Sequence, residues 1–565
     1  MDDIEDILKH NNNHKNKIFK TDDWNNLIQE FNYYSTTFKN NNDIFKFFKI
    51  IQKKYKITLS KADLIKFYNF LNLNDNNLKN LIIKKKHKSN SGVLVVTILT
   101  SAHPEYIDEN GKHIIGKFSC KHNCAYCPNE KAHKGNNWVD QPRSYLYSEP
   151  AVLRANANNF DPILQFNSRI ETLIKMGHNI DKIELIILGG TWSEYPILYK
   201  DDFISKIYYA ANTFYHIYKR NLLSLQQEIT FNENSTIHII GLTIETRPDS
   251  ININEIKLLR KYNCTRVQLG VQHTSNTVLK KIKRGHTIET VYNAIQLLKN
   301  NCFKVDIHLM PNLPGSDFQL DQIMLNDSLY DQRLQVDQYK IYPTAVVPWT
   351  LIKEWFDQGT YIPYDDYLLF QLIKDFKLKI QKWKRLNRII RDIPSTYISG
   401  GYNKKYVNLR QLLQDDMIKN NWKCNCIRCR EIKNNFVNIQ DIKLNIEYYK
   451  ASNADEYFIS YETNDFLIGF LRLRLNYNYQ GVLDILNNSA LIRELHVYSN
   501  LNIVGNHNLD SYQHKGYGQN LIKNAENIAI NYGFKQIAII SGTGVRDYYR
   551  KLGYILKDTY MIKNI

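Results

Sequence analysis

Phe118-Ser119-Cys120-Lys121-His122-Asn123-Cys124-Ala125-Tyr126-Cys127-Pro128 sets three cysteines in a C-x3-C-x2-C pattern, with an aromatic residue directly before the last. That spacing lets three thiolates from one loop, Cys120, Cys124 and Cys127, hold three irons of a 4Fe-4S cubane and leaves the fourth iron open to a substrate or cofactor. The alternatives are a zinc loop or three unrelated buried thiols. Zinc normally takes a fourth ligand from a second knuckle, and His122 lies inside the loop, where it is poorly placed to close a tetrahedron.

Outward from the loop, short apolar runs alternate with amphipathic stretches, as repeated βα units do. The runs are Val93 to Thr100, Ile183 to Leu188, Ile237 to Ile244, Arg266 to Val271, Val305 to Met310 and Val336 to Tyr342. Six such strands predict a parallel barrel, closed or partial, with its chemistry at the C-terminal strand ends. The cysteine loop follows the first strand, where such a site requires it. The second strand ends in Gly189-Gly190-Thr191, which lets backbone approach a ligand; any tight βα turn can also use Gly-Gly. The third ends in Ile244-Glu245-Thr246-Arg247-Pro248-Asp249, either a pair of ligand contacts or a rim salt bridge. Gln268 and Gln272 in Val267-Gln268-Leu269-Gly270-Val271-Gln272, and Arg284-Gly285-His286 beyond it, are candidates to complete the pocket. Cys264 and Cys302 begin strands and read as packed thiols.

The remaining chain divides around this barrel. Residues 1–90, rich in Asn and Lys, carry apolar residues at helical spacing and predict a small helical domain ending in the basic run Lys84 to Lys88. Residues 91–384 form the barrel, and 385–440 a linker holding Cys424, Cys426 and Cys429, either three ligands of a structural zinc or free thiols. Residues 441–565 form a separate α/β unit. In it, Gln513-His514-Lys515-Gly516-Tyr517-Gly518 opens a helix at Gln519, and a glycine turn there offers bare N–H groups and the positive dipole end to an anion.

The 565 residues carry a formal net charge of +18, which points to a polyanionic partner, nucleic acid first. A drift of the composition toward Lys and Asn is the bland alternative. Eight cysteines, six of them in two tight clusters, suit metal ligands in a reducing compartment rather than a secreted disulfide framework. The polar N-terminus and the absence of an 18-residue apolar run predict no leader and no membrane span, hence a soluble protein of the cytoplasm, with the nucleus as the alternative.

The cysteine loop and strand ends resemble the radical S-adenosylmethionine (SAM) enzymes, in which the open iron chelates SAM. That resemblance implies that Gly189, Gly190, Thr191, Glu245, Arg247 and Gln272 bind SAM. The last unit resembles the GNAT acetyltransferases, including the segment Val545-Arg546-Asp547-Tyr548-Tyr549-Arg550-Lys551-Leu552-Gly553-Tyr554. Together the halves resemble the family of Elongator catalytic subunits, the tRNA uridine acetyltransferases, from about residue 90 onward. The stretches that carry this include Ser91-Gly92-Val93-Leu94, Arg284-Gly285-His286-Thr287, Arg391-Asp392-Ile393-Pro394 and Arg493-Glu494-Leu495-His496-Val497-Tyr498. Two departures are a compact cysteine loop and Asn129-Glu130 where Gly-Gly is usual.

This resemblance implies acetyl-CoA bound by Glu494, Leu495, His496 and Val497, by Gln513, Gly516, Tyr517, Gly518 and Gln519, and by Lys182 reaching from the barrel. It places Tyr549 near the thioester and makes Tyr548 and Tyr549 the candidate catalytic phenols, core packing being the alternative for each. The implied reaction is radical carboxymethylation at C5 of the wobble uridine in a tRNA anticodon loop, with the radical and the thioester meeting in a shared cavity. Lys84 to Lys88 would grip phosphate. An electron donor and other Elongator subunits are the expected partners. Two other functions fit parts of the sequence: a protein or histone lysine acetyltransferase with a structural barrel, and a non-catalytic tRNA-binding subunit.

Overall fold

The structure is a computed structural model, and it describes residues 21–85, 91–118, 120–402, 408–433, 435, 437–477, 479, 482–498 and 516–565. Gln513 and Lys86 to Lys88 lie outside the described residues. The chain divides into two compact units, one comprising residues 1–87 with 171–179 and the other the remainder.

In the first unit, helices Thr21–Ser35, Asn41–Tyr55, Lys61–Phe70 and Asn76–Ile82 pack around Leu27, Phe31, Ile44, Phe47, Leu64 and Phe67. Asn40 and Asp75 cap two of them by accepting from backbone N–H groups, which satisfies donors that a helix start leaves orphaned. Gly177 belongs to this unit, and a Cβ there would lie 2.9 Å from Ile65.

The second unit holds two seven-stranded sheets. The first runs β1 (Leu94–Leu99), β4 (Lys182–Leu188), β5 (His238–Thr246), β6 (Arg266–Gln272), β7 (Lys304–Leu309), β8 (Gln338–Ile341) and β9 (Arg385–Ile389), in that order and all parallel. A hairpin of β2 (Glu105–Ile107) and β3 (His113–Ile115) is inserted after β1. The expected barrel is thus a curled, open half-barrel. It takes a seventh strand, β9, from residues that the sequence reading placed in the linker.

The half-barrel's strands alternate in character. Val267, Leu269, Val305, Ile307, Tyr339 and Ile341 are buried on one face. On the other face side chains reach across intervening strands: Arg266 of β6 meets Glu184 of β4 at 2.8 Å, and Lys340 of β8 donates to Gln268 of β6. That polar face is the concave interior.

The second sheet orders β10 (Lys443–Ala451), β11 (Ala454–Glu462), β12 (Leu467–Leu475), β13 (Ser489–Val497), β14 (Gln536–Ile539), β16 (Tyr560–Asn564) and β15 (Ile555–Lys557). Helix Tyr517–Asn531 lays Leu521, Ile522, Ala525 and Ala529 on this sheet, against Leu471, Leu473, Ile492 and Ile537. Burial of that apolar face, at ~25 cal/mol per Å², holds the domain together.

The two sheets are fixed to each other through the N-terminal ends of the barrel strands. His496 Nε2 lies 3.0 Å from the Ser91 carbonyl. Arg493 donates to Asp337 at 2.8 and 2.7 Å and to the Phe303 carbonyl at 3.0 Å. Gly542 sits so close to Ile240 that a Cβ would overlap its backbone.

Candidate functional site: a cysteine loop and a splayed sheet at opposite ends of one half-barrel

The cysteine loop is built into the C-terminal ends of the strands from several sides. Ala125 N donates to the Ile282 carbonyl at 2.9 Å, and Ile352 N to the Ala125 carbonyl at 3.0 Å. Phe118 stacks on Tyr195 at 4.3 Å. Tyr195 in turn donates to the Gly189 carbonyl at 3.1 Å and accepts from Thr100 at 2.8 Å. Cys120 Sγ lies 3.7 Å from the Thr191 hydroxyl. Thus Gly189, Gly190 and Thr191 stand directly beside the loop. Gly189 has φ +133°, and a Cβ there would overlap the Thr100 hydroxyl, so no larger residue fits.

Two guanidinium groups converge on the middle cysteine. Arg284 Nη1 lies 3.4 Å and Arg247 Nη1 3.6 Å from Cys124 Sγ. Burial alone would push this thiol up, but the charges and hydrogen bonds of Arg284 and Arg247 outweigh burial and lower its pKa. Cys127 is pushed up by its burial and by the neighbouring Cys124. Arg247 also donates to Asp249 at 2.9 Å and to the Arg284 carbonyl at 2.6 Å. Its side chain therefore braces the loop. Glu245 instead accepts from Tyr145 at 2.9 Å and lies 3.7 Å from His308.

The residues around the loop fit a polar ligand. Among the described residues, Gln272 Oε1, Arg284 Nε, His286 Nε2 and His308 Nε2 are buried without a hydrogen-bond partner. Each such group costs about 1–3 kcal/mol when left unmade. Gln272 also holds φ +76° at the β6–β7 register shift, which aims a side chain that a regular strand would not. Burial, then Arg284, holds His286 down at about 4, and burial with Lys340 holds His308 well below the usual range. Both imidazoles are neutral. Tyr145 and His308 were not found by sequence reasoning, although the polar alternation Lys304, Asp306, His308 inside an apolar strand marks an inward face.

Beside the loop, a cavity of about 200 Å³ is lined by Phe118, Cys120, Asn129, Lys131, Asp140 and Arg143, among others.

At the other end of the same strands, β14 pairs with β13 only from Ser489 to Ile492. β13 has no partner from β14 beyond that point, so Glu494, Leu495, His496 and Val497 border a gap between the two strands. The Glu494 side chain does not face this gap. It accepts from Arg472 at 2.8 Å and meets Arg266 at 3.7 Å, and Lys304, Arg472 and Arg266 outweigh its burial and hold it down at about 2. Gly516 starts the helix at φ +79° with no side-chain cap. Tyr517, Gly518 and Gln519 form its first turn, and a Cβ on Gly518 would lie 2.6 Å from the Tyr548 hydroxyl. Tyr548 is 36% exposed over that turn, whereas Tyr549 is 6% exposed in the core of the sheet. Lys182 begins β4, paired with His238, and a Cβ on Gly544 would lie 2.4 Å from the His238 Cβ. It therefore stands on the side of the barrel that meets the second sheet.

Between these ends the concave face carries an ionic ladder. Arg266 links Glu494 to Glu184 and lies 3.8 Å from Asp306; Gln268 donates to Asp306 at 3.3 Å. Burial pushes Asp306 up to about 6. Because the second sheet docks on the N-terminal ends, the two groups of residues expected to share a cavity lie at opposite strand ends, with this buried ionic ladder between them.

A second sulfur cluster lies apart. The sulfurs of Cys424, Cys426 and Cys429 all lie within 4.8 Å of one another, the only such group of metal-capable side chains among the described residues. A single ion needs that closeness. Three separate irons of a cubane hold their thiolates farther apart, as the wider Cys120, Cys124 and Cys127 loop does.

This architecture is that of a radical SAM barrel joined to an acetyltransferase domain, and comparison with known proteins agrees. Residues 114–322 match the Radical SAM superfamily, 336–419 its C-terminal domain, and 426–554 the Acetyltransferase (GNAT) family. The chain is 40% identical over 495 residues to the tRNA uridine(34) acetyltransferase of Methanocaldococcus jannaschii, covering 86% of each chain. It is 33% identical over 494 residues to the human Elongator complex protein 3, covering 85% of each. The solved structure of the archaeal Methanocaldococcus infernus Elp3 with an N-terminal deletion superposes with a TM-score of 0.69 at 37% identity, covering 84% of this chain and all of that one. The chain belongs to the family of tRNA uridine(34) acetyltransferases and Elongator complex protein 3.

Proposed function

We propose that this protein modifies the wobble uridine of tRNA by attaching a two-carbon unit from acetyl-CoA at C5, with SAM and a 4Fe-4S cluster. The observation that carries the reading is the placement of a cluster-type cysteine loop and a coenzyme-type splayed sheet at the two ends of the same strands. The cluster and SAM, when bound, supply one-electron chemistry, and acetyl-CoA supplies the carbon unit.

The chain's own residues do the rest. Cys120, Cys124 and Cys127 ligate the cluster, and Arg247 and Arg284 favour the thiolate that ligation needs. Gly189 and Gly190 admit the SAM methionyl group to the backbone, while Thr191, Glu245 and Gln272 present polar atoms to it. In the GNAT domain, the backbone of Glu494 to Val497 meets the pantetheine amides. Gly516 to Gln519 meet the phosphates with Lys182, and Gln513, three residues earlier in the sequence, is assigned to the same ligand. The Tyr548 hydroxyl, over the first helical turn, is the phenol placed to hold a proton at the departing sulfur. Tyr549 supports it from the core.

A single-stranded anticodon loop with a splayed base suits such an enzyme, with Lys84 and Lys85 among the cations that meet its phosphates. The same reading requires an electron donor, places a structural zinc on Cys424, Cys426 and Cys429, and includes other Elongator subunits as partners. No helix among the described residues is long and apolar enough to cross a membrane, in keeping with an intracellular site of action.

The test is anaerobic reconstitution with acetyl-CoA, SAM, a chemical reductant and tRNA, read by mass spectrometry of the nucleosides. Wild type modifies uridine and Cys124→Ala does not. Full modification by Cys124→Ala would sink the radical mechanism. Acetylation of lysine peptides with no change in tRNA would replace the whole reading.

A further inference from the structure

The mouth of the cavity over the cysteine loop carries an aromatic arrangement that the cofactors do not use. Trp349 is 38% exposed and holds φ +60°, a conformation that bulky L-residues rarely adopt. Its carbonyl accepts from Asn129 N at 3.2 Å, and Asn129 lines the cavity together with Cys120. That backbone bond sets Trp349 next to a wall residue of the cavity beside the cysteine loop.

The ring is braced. His133 lies 5.3 Å from Trp349 at 31°, and Tyr397 lies 6.0 Å from it at 62°. His133 is itself pinned at both nitrogens, accepting from Gly135 N at Nδ1 and meeting Glu130 at Nε2, each at 3.0 Å. Trp138, 71% exposed, follows on the same turn, its N–H donating to the His133 carbonyl at 3.0 Å.

Charge at this mouth favours an anion with a planar group. Lys117, Lys131 and Lys134 are exposed. The nearby acids are satisfied within the protein: Asp140 by Ala132 N at 2.8 Å and His103 at 3.1 Å, and Glu130 by Tyr147 N at 2.8 Å and His133. Exposed rings interleaved with lysines are the features that bind single-stranded nucleic acid, bases stacking on the rings and phosphates meeting the cations.

We propose that the Trp349 indole, braced by His133 and Tyr397, is the shelf on which the wobble base of the unpaired anticodon loop stacks as the RNA enters the cavity over the cysteine loop. This rests on the tRNA reading above and adds the residue that receives the base.

The test measures dissociation constants for a labelled anticodon stem-loop RNA by fluorescence anisotropy, using the full chain without added cofactors. Trp349→Gly removes the ring and relieves the backbone, so it should keep wild-type thermal stability and weaken binding about five- to hundredfold, the range that one base–aromatic stack supports. Trp349→Asn, which tolerates the same backbone, should lose the same affinity, and Trp349→Phe should keep most of it. The loss should vanish on an RNA whose wobble nucleotide is abasic. Unchanged affinity in Trp349→Gly and Trp349→Asn, or an equal loss on the abasic RNA, overturns the shelf while leaving uridine modification by wild type intact. A wild-type protein that neither binds the RNA nor modifies it overturns the underlying reading instead.

Discussion

Arg493 grips Asp337 with two hydrogen bonds of 2.8 and 2.7 Å, across the boundary between the GNAT sheet and the barrel, and both side chains are wholly buried. Arg493 falls at the register shift between β12 and β13, so the bulge turns it out of its own sheet toward the barrel. It also donates to Glu456 at 2.8 Å, and Lys299 and Arg474 close on the same carboxylate at 3.0 Å each.

Removing Arg493 takes the two-bond partner from buried Asp337, while Glu456 keeps Lys299 and Arg474. We expect Arg493→Ala to cost about 3–5 kcal/mol, the usual penalty for breaking a buried pair from one side, measured by urea unfolding. An Arg493→Ala, Asp337→Ala double variant should lose less than the sum of the two single changes. Strict additivity would mean that the pair is not coupled as the geometry indicates.

Acid should weaken the same interface. Glu494 has its folded pKa held down at about 2, against an ordinary glutamate near 4.3. The unfolded chain therefore takes up the proton first. The stabilisation is fully present above about pH 4.5 and is lost as pH falls toward 2, amounting to about 3 kcal/mol. The urea midpoint should fall over that window, and Glu494→Gln should show a shallower fall. Identical slopes would show that the acid sensitivity lies elsewhere.

The close approach of Gly518 and Tyr548 predicts a compensating pair. Gly518→Ala places a methyl 2.6 Å from the Tyr548 hydroxyl, so it should weaken acetyl-CoA binding by about tenfold or more in calorimetry. Tyr548→Phe removes that hydroxyl and should restore part of the affinity in the Gly518→Ala background, though not the turnover. A Tyr548→Phe change that rescues nothing would place the phenol away from the helix start.

The two sulfur clusters should part under metal analysis. Cys426→Ser should lose one zinc per chain and keep the iron, because the Cys424, Cys426 and Cys429 sulfurs converge on one point. Cys124→Ala should do the reverse. Loss of both metals in either variant would mean that the sites are not independent.

Much of this was legible in the chain. The six apolar runs became six parallel strands because their buried outward faces are lined by Val, Ile and Leu, with Tyr339 in β8. β9 escaped because Arg385-Leu386-Asn387-Arg388-Ile389 turns its polar side inward, where Arg385 pairs with Glu431 and Asn387 with Gln338. Hydropathy cannot see a strand whose buried partners are charged. Arg284 stood in a motif, but its place on Cys124 comes from a contact 160 residues apart. Tyr548 and Tyr549 are neighbours in sequence, and only the short helix Arg546–Arg550 decides which one faces outward.

Because the GNAT domain is anchored on the barrel by Arg493 and Arg472 on Asp337, Arg474 on Asn300 and Glu456 on Lys299, separating the halves would strip these buried ions of their partners. The distance between the two ends of the half-barrel is then set by packed strands rather than by a hinge. Seven residues of β4 run along it, which at roughly 3.3 Å each is about 23 Å.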